Sequence, residues 1–120
     1  MTPSRRFTDL IVWQKAHHFV LATYKMTQKF PREEVYGLTS QFRRASISIA
    51  ANLAESYKKW SNKEKARILN IAQSSLEECR YYLILSNDLK YCTVEDEQIK
   101  IEEASKLLHA YTKAIKNTES

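Results

Sequence analysis

The stretch Gln41-Phe-Arg-Arg-Ala-Ser-Ile-Ser-Ile-Ala-Ala-Asn-Leu-Ala-Glu55 carries two periodic lines at once. With its flanks it places Leu38, Phe42, Ala45, Ile49, Leu53 and Tyr57 at steps of three and four, one apolar face of a helix. Gln41, Arg44, Ser48, Asn52 and Glu55 repeat at the same steps and form a polar line beside it. Small residues surround Ser48 and Asn52, so this helix is expected to be mostly buried, with its polar groups partnered across to a neighbour. Ser75 and Glu78 of the next helix, together with Arg44, are the expected partners in a structural polar network. A solvated face and a ligand site are the other readings of the line.

Working outward, a second helix-forming segment precedes this one, from about Asp9 to Lys29, with Leu10, Trp13, His17, Val20, Tyr24 and Thr27 on one face and Thr8 or Asp9 as cap. Val12, Ala16, Phe19 and Leu21 fall off that face. Phe30-Pro31 ends the segment, because a residue before proline is pushed out of the helical region. The central helix spans about Tyr36 or Leu38 to Lys59. After it, Ser61-Asn-Lys-Glu64 reads as a capping box that opens a long third helix to about Leu89. That helix has two stripes, Leu69, Ala72, Leu76, Cys79, Leu83 and Ile68, Ile71, Ser75, Tyr82, Leu85, Leu89. The excess of apolar surface fits either a helix held between two neighbours or a self-association face. A fourth helix follows Thr93 as cap, with Ile101, Ala104, Leu108, Tyr111 and Ile115 inward. Short connections make consecutive helices antiparallel, so the expected fold is all-α, an antiparallel up-down-up-down four-helix bundle. It forms one domain over residues 1–120, with short flexible tails at about 1–7 and 117–120.

Composition agrees. The 120 residues contain one Gly and two Pro, too few for the tight turns of sandwiches, barrels, Rossmann units or P-loops. A hydrophobic fraction of 43% and a charged fraction of 28% belong to a globular chain. The longest uncharged run, Ala45 to Ala54, is too short to cross a bilayer, and the basic N-terminus lacks the apolar core of a signal peptide. A cytoplasmic location away from membranes is expected. Cys79 and Cys92 lack metal-type spacing and are expected to be reduced thiols.

The chemistry of reactive bundles is missing from the pattern. No Glu-x-x-His pair exists for a di-iron centre, and no Arg has a His four to six residues later, as helical ribonucleases do. HExxH, GxSxG and Gly-rich phosphate loops are absent. His17 and His18 point about 100° apart on a helix and do not chelate one ion together. The expectation is a protein that is not an enzyme and takes neither metal nor cofactor.

Charge is unevenly placed. The formal net charge is +5, divided as +8 over residues 1–67 and −3 over the remainder. Arg5, Arg6, Lys58, Lys59, Lys63, Lys65 and Arg67 are the candidate nucleic-acid contacts, the last five around the turn between the second and third helices. Lysines that merely solubilise a turn are the competing reading. Trp60 in that turn is placed to cap the bundle core or, alternatively, to stack on a base. The acidic start of the fourth helix (Glu95, Asp96, Glu97, Glu102, Glu103) offers a second surface for a basic protein partner, though acidic charge at a helix N-terminus is favourable in itself.

Four ordered motifs resemble those of the 23S rRNA-intervening-sequence proteins, a family of four-helix bundle proteins. They are Asp9-Leu-Ile-Val-Trp-Gln-Lys-Ala16, Phe30-Pro-Arg-Glu-Glu-Val-Tyr-Gly-Leu38, the Gln41–Glu55 stretch and Ile71-Ala-Gln-Ser-Ser-Leu-Glu-Glu78. The chain departs from the family pattern at Ser56 and in Ser74-Ser75, where glycine is usual and would allow closer helix approach. The resemblance implies a left-handed antiparallel bundle that assembles into a ring, typically a homopentamer, encoded in bacterial rRNA intervening sequences or as a free-standing gene. It also implies kinship with the accessory variability determinant protein of diversity-generating retroelements, a pentamer that binds a reverse transcriptase and nucleic acid. The resulting expectation is a non-catalytic homo-oligomer that binds RNA or DNA through the basic turn. The alternative is a protein–protein scaffold or reverse transcriptase accessory subunit.

Overall fold

A computed structural model describes residues 4–118. It contains four α-helices: α1 (Ile11–Thr27), α2 (Leu38–Tyr57), α3 (Asn62–Asp88) and α4 (Glu95–Asn117), with short 3-10 turns at Phe7–Asp9 and Arg32–Glu34. Neighbours in sequence pack side by side, α4 closes against α1, and the backbones of the diagonal pairs stay more than 8 Å apart at every Cα pair among the described residues. The result is an elongated bundle of 48 × 26 × 20 Å.

Cross-helix pairs fix the directions. Between α2 and α3, Gln41 meets Tyr82 while Ser48 meets Ser75, so the partners run in opposite order. Arg80 on α3 bonds Glu102 on α4, and Asn62 at the start of α3 donates to the Thr118 carbonyl 2.9 Å away. Lys15 of α1 pairs with Glu103 of α4. All four helices are antiparallel to their neighbours, in up-down-up-down order.

The core follows the expected faces on α2, α3 and α4. Phe42, Ile49 and Leu53 meet Leu69, Leu76, Cys79 and Leu83, with Ile101 and Leu108 closing the layer. Tyr111 and Ile115 pack half-buried at its edge. On α1 the buried face is rotated. Val12, Ala16, Phe19, Thr23 and Met26 face inward with Val20 and Thr27, whereas Trp13 and His17 lie on the rim and Tyr24 is exposed. The aromatic residues misdirect the count because they are large yet sit at the seam. Trp13 stacks on His17 with ring centroids 4.9 Å apart, and Phe7 meets Trp13 edge-on at 5.2 Å. The inward positions include two threonines whose hydroxyls return to the helix carbonyls of Phe19 and Thr23, which removes the cost of burying them.

Three helix starts differ from expectation. α1 begins after Leu10, which makes no side-chain cap bond. Asp9 instead accepts from the Arg5 and Arg6 backbone N–H groups, 3.0 and 3.2 Å away, and closes the preceding 3-10 turn. Phe7, expected in a flexible tail, opens that turn. Only half of the capping box on α3 forms. Ser61 Oγ accepts from the Glu64 N–H at 3.1 Å, but the Glu64 carboxylate turns to Arg67 at 2.7 Å. α4 starts after Val94 rather than Thr93, because Val94 is buried in the core and sets the entry of the chain. At the other end α4 runs through Asn117, and Thr118 Oγ1 donates to the Ala114 carbonyl. Residues 1–3 and 119–120 of the expected tails lie outside the described residues.

The departures from glycine are accommodated differently. Ser56 is buried and its hydroxyl donates to the Leu53 carbonyl at 2.9 Å. Ser74, in place of the glycine of the Gly-Ser pair, is exposed and its hydroxyl donates to the Asn70 carbonyl at 3.2 Å, while Ser75 joins α3 to α2 through Ser48 Oγ, 2.7 Å away.

Candidate nucleic-acid interface

The antiparallel order brings the start of α1, the end of α2, the start of α3 and the end of α4 to one end of the bundle. The expected contacts Lys58, Lys59, Lys63, Lys65 and Arg67 occupy the α2–α3 connection and the first turns of α3. Arg5 and Arg6 join them, because the 3-10 turn that follows lies against α2, where Phe7 shares an apolar groove with Ala51 and Ala54. The same end holds Lys113 and Lys116 from the last turns of α4. Sequence reading missed these two. They lie in the acidic half of the chain, and only the α3–α4 pairing shows that they face the basic turn.

Trp60 is fully exposed, at 102% of its reference surface. It therefore does not cap the core, contrary to the expectation. Leu10, Tyr111 and Ile115 pack against the core, and Trp60 does not. The α2–α3 connection begins directly after Tyr57, so Trp60 stands exposed in the same short segment as Lys58 and Lys59, three residues before Lys63.

Few of these cations are committed within the bundle. Arg67 is bonded to Glu64, which raises its pKa and lowers that of the carboxyl. Lys59 stands 4.0 Å from Glu55, and the Lys58 ammonium lies 6.0 Å from the centre of the Tyr57 ring. Lys63, Lys65, Lys113 and Lys116 have no ion-pair partner among the described residues. One end of the bundle thus carries an exposed indole and several ammonium groups without an ion-pair partner among the described residues, groups suited to bind a polyanion and stack against a base.

The polar line of α2 divides. Ser48, Asn52 and Ser75 form a bonded set: Asn52 Nδ2 donates to the Ser48 carbonyl and hydroxyl at 2.8 and 3.0 Å, and Ser75 Oγ donates to Ser48 Oγ. Gln41, Arg44, Glu55 and Glu78 are exposed instead of buried. The expected network thus reduces to two serines and one asparagine. The longer polar side chains of the line reach water. Gln41, Arg44, Ser48, Ser75, Glu78 and Tyr82 line a cleft of about 380 Å³ on the α2–α3 seam.

The remaining chemistry is sparse. Cys79 and Cys92 are both free, Cys79 buried and Cys92 half-buried. Among the described residues no three His, Cys, Asp or Glu side chains gather as a metal site would require, and no helix is long and apolar enough to cross a membrane. Compared with known proteins, residues 8–113 match the family model described as 23S rRNA-intervening sequence protein. No curated protein matches the chain.

Proposed function

The chain belongs to the 23S rRNA-intervening sequence protein family, and from that premise we propose that it is a non-catalytic, homo-oligomeric nucleic-acid-binding protein that uses the basic end of its bundle. The observation that carries this reading is Trp60, fully exposed in a connection whose sequence neighbours include Lys58, Lys59 and Lys63. A large indole left in water by a well-packed core costs solubility, and a stacking role accounts for it where a packing role does not. Arg5, Arg6, Lys65, Lys113 and Lys116 widen the patch beyond one turn.

Self-association, with a pentamer favoured, is supported by apolar side chains the bundle leaves outside. Ile11 is 61% exposed and Leu21 55%, and an apolar groove runs along the α1–α2 seam between Trp13 and Ile47. Several copies of a modest basic patch would act together, raising avidity ~10²–10⁴-fold over one copy. The scaffold reading, in which α4 presents acid to a basic partner such as a reverse transcriptase, has weaker support. Glu102 and Glu103 are already paired with Arg80 and Lys15.

A salt series with single-stranded RNA, structured RNA and duplex DNA tests the proposal. Binding should weaken with a slope of about 0.7–0.9 log units per phosphate contact, and changing Lys58, Lys59, Lys63 and Lys65 to Glu should abolish it. Intact binding by that variant, or no micromolar binding at low salt, overturns it.

A further inference from the structure

The cleft on the α2–α3 seam has a composition the basic end does not explain. On one wall stands Arg44 and on the other Glu78, both exposed and neither in an ion pair among the described residues, although they line the same 380 Å³ space. The floor is polar and fixed: Ser75 and Asn52 both donate to Ser48 Oγ. Ala45 leaves room above the floor, and the Tyr82 hydroxyl is held by Gln41 Oε1 at 3.2 Å at the rim. Glu78 lies one helical turn before Tyr82 on α3, and burial, and next the charge of Glu78, raise the Tyr82 phenol above its ordinary range. A guanidinium and a carboxylate that line one cleft without pairing, over a hydrogen-bonded hydroxyl floor, leave a complementary guest to be supplied: one that presents adjacent acceptors to one wall and adjacent donors to the other.

We propose that this cleft takes an unstacked guanine base of a single-stranded nucleic acid, Arg44 donating to O6 and N7 and Glu78 accepting from N1–H and the 2-amino group. The inference rests on the nucleic-acid reading above and adds base selection to it. Guanine is the one common base with two neighbouring acceptors on one edge and two neighbouring donors on the next, so both forked side chains engage in bidentate fashion. Cytosine offers the carboxylate one donor group, adenine gives the guanidinium a donor beside its acceptor, and uracil has a single ring N–H. The volume is at the small end of ligand clefts and suits one base rather than a paired helix. Single strands are the form in which such edges are free to be read. Arg44 lies thirteen residues before Tyr57, the last residue of α2, roughly 20 Å along the helix axis, so a strand anchored at the basic end reaches the cleft within a few nucleotides.

The test uses the full chain and short uridine-rich RNA strands carrying one central guanosine, inosine, 7-deazaguanosine, adenosine or cytidine. The guanosine strand should bind about tenfold or more tightly than the adenosine strand. Inosine, which lacks the amino group facing Glu78, and 7-deazaguanosine, which lacks the N7 facing Arg44, should each lose that preference. Arg44→Ala and Glu78→Gln, both at exposed positions, should erase the preference while leaving the salt-dependent binding of the adenosine strand nearly unchanged. Equal binding of all strands, or a guanosine preference that survives in both variants, overturns the base-selection proposal and leaves the basic end standing. Failure of every strand to bind the unaltered protein at low salt overturns both.

Discussion

Replacing Trp60 by Ala removes a side chain that packs against nothing, so thermal stability should move by no more than about 0.5 kcal/mol. Oligonucleotide affinity should fall by about 1–3 kcal/mol if the indole stacks on a base. A melting curve and a binding titration on the same variant separate the two effects, and a large loss of stability would return Trp60 to a packing role. The thiols give a second check at this scale. Burial drives the Cys79 thiol far above its ordinary pKa, while Cys92 is raised less, again chiefly by desolvation. A thiol reagent at pH 8 should therefore modify Cys92 first and reach Cys79 only on unfolding. Residue-level roles were the least legible in the sequence. Nothing local to Lys58-Lys-Trp60 says whether the indole turns in or out, because that depends on what already plugs the end of the bundle. Ser48 and Ser75 were legible as a pair, since each lies at a helix-spaced position facing small residues.

At the level of elements, the helices were legible and their rotation was not always so. On α2 the apolar line matches the buried face, because bulky and small residues alternate there in one register. On α1 the aromatic residues drew the expected face toward the rim. The two faces make opposite predictions: Phe19→Ala should cost about 3–5 kcal/mol in chemical denaturation, and Tyr24→Ala, at an exposed position, much less. The helix ends show how the chain manages with so little glycine. Lys90 holds the left-handed position after α3 at φ 64°, while Tyr91 N–H closes back to the Ser86 carbonyl. Lys90→Gly should therefore raise stability modestly, by up to about 1 kcal/mol, an effect measurable as a shift in denaturation midpoint. The single glycine, Gly37, serves space instead. A Cβ there would come within 2.8 Å of a Glu34 oxygen, and Glu34 both accepts from the Leu38 N–H at the start of α2 and takes the Tyr91 hydroxyl at 2.7 Å.

For the whole molecule, cross-helix ion pairs set the response to acid. Arg80 holds Glu102, and Lys15 holds Glu103, so both carboxyls titrate below their ordinary values. A depressed carboxyl adds stability that is complete above its unfolded pKa and disappears as pH falls through the folded one. Melting temperature should therefore be flat through neutrality and drop below about pH 4, with a shallower drop in Glu102→Gln. The surface position of both pairs keeps the effect small. The sequence showed that the two halves of the chain differ in charge, but their arrangement depended on antiparallel pairing, which carries Lys113 and Lys116 from the acidic half to the basic end. That pairing has one more consequence. Two helix N-termini and two helix C-termini meet at this end, so their macrodipoles cancel and the positive field there comes from side chains alone. Most of those side chains are lysines, so acetylation of their amino groups would strip most of the field and leave only that of Arg5, Arg6 and Arg67, without disturbing a turn of helix.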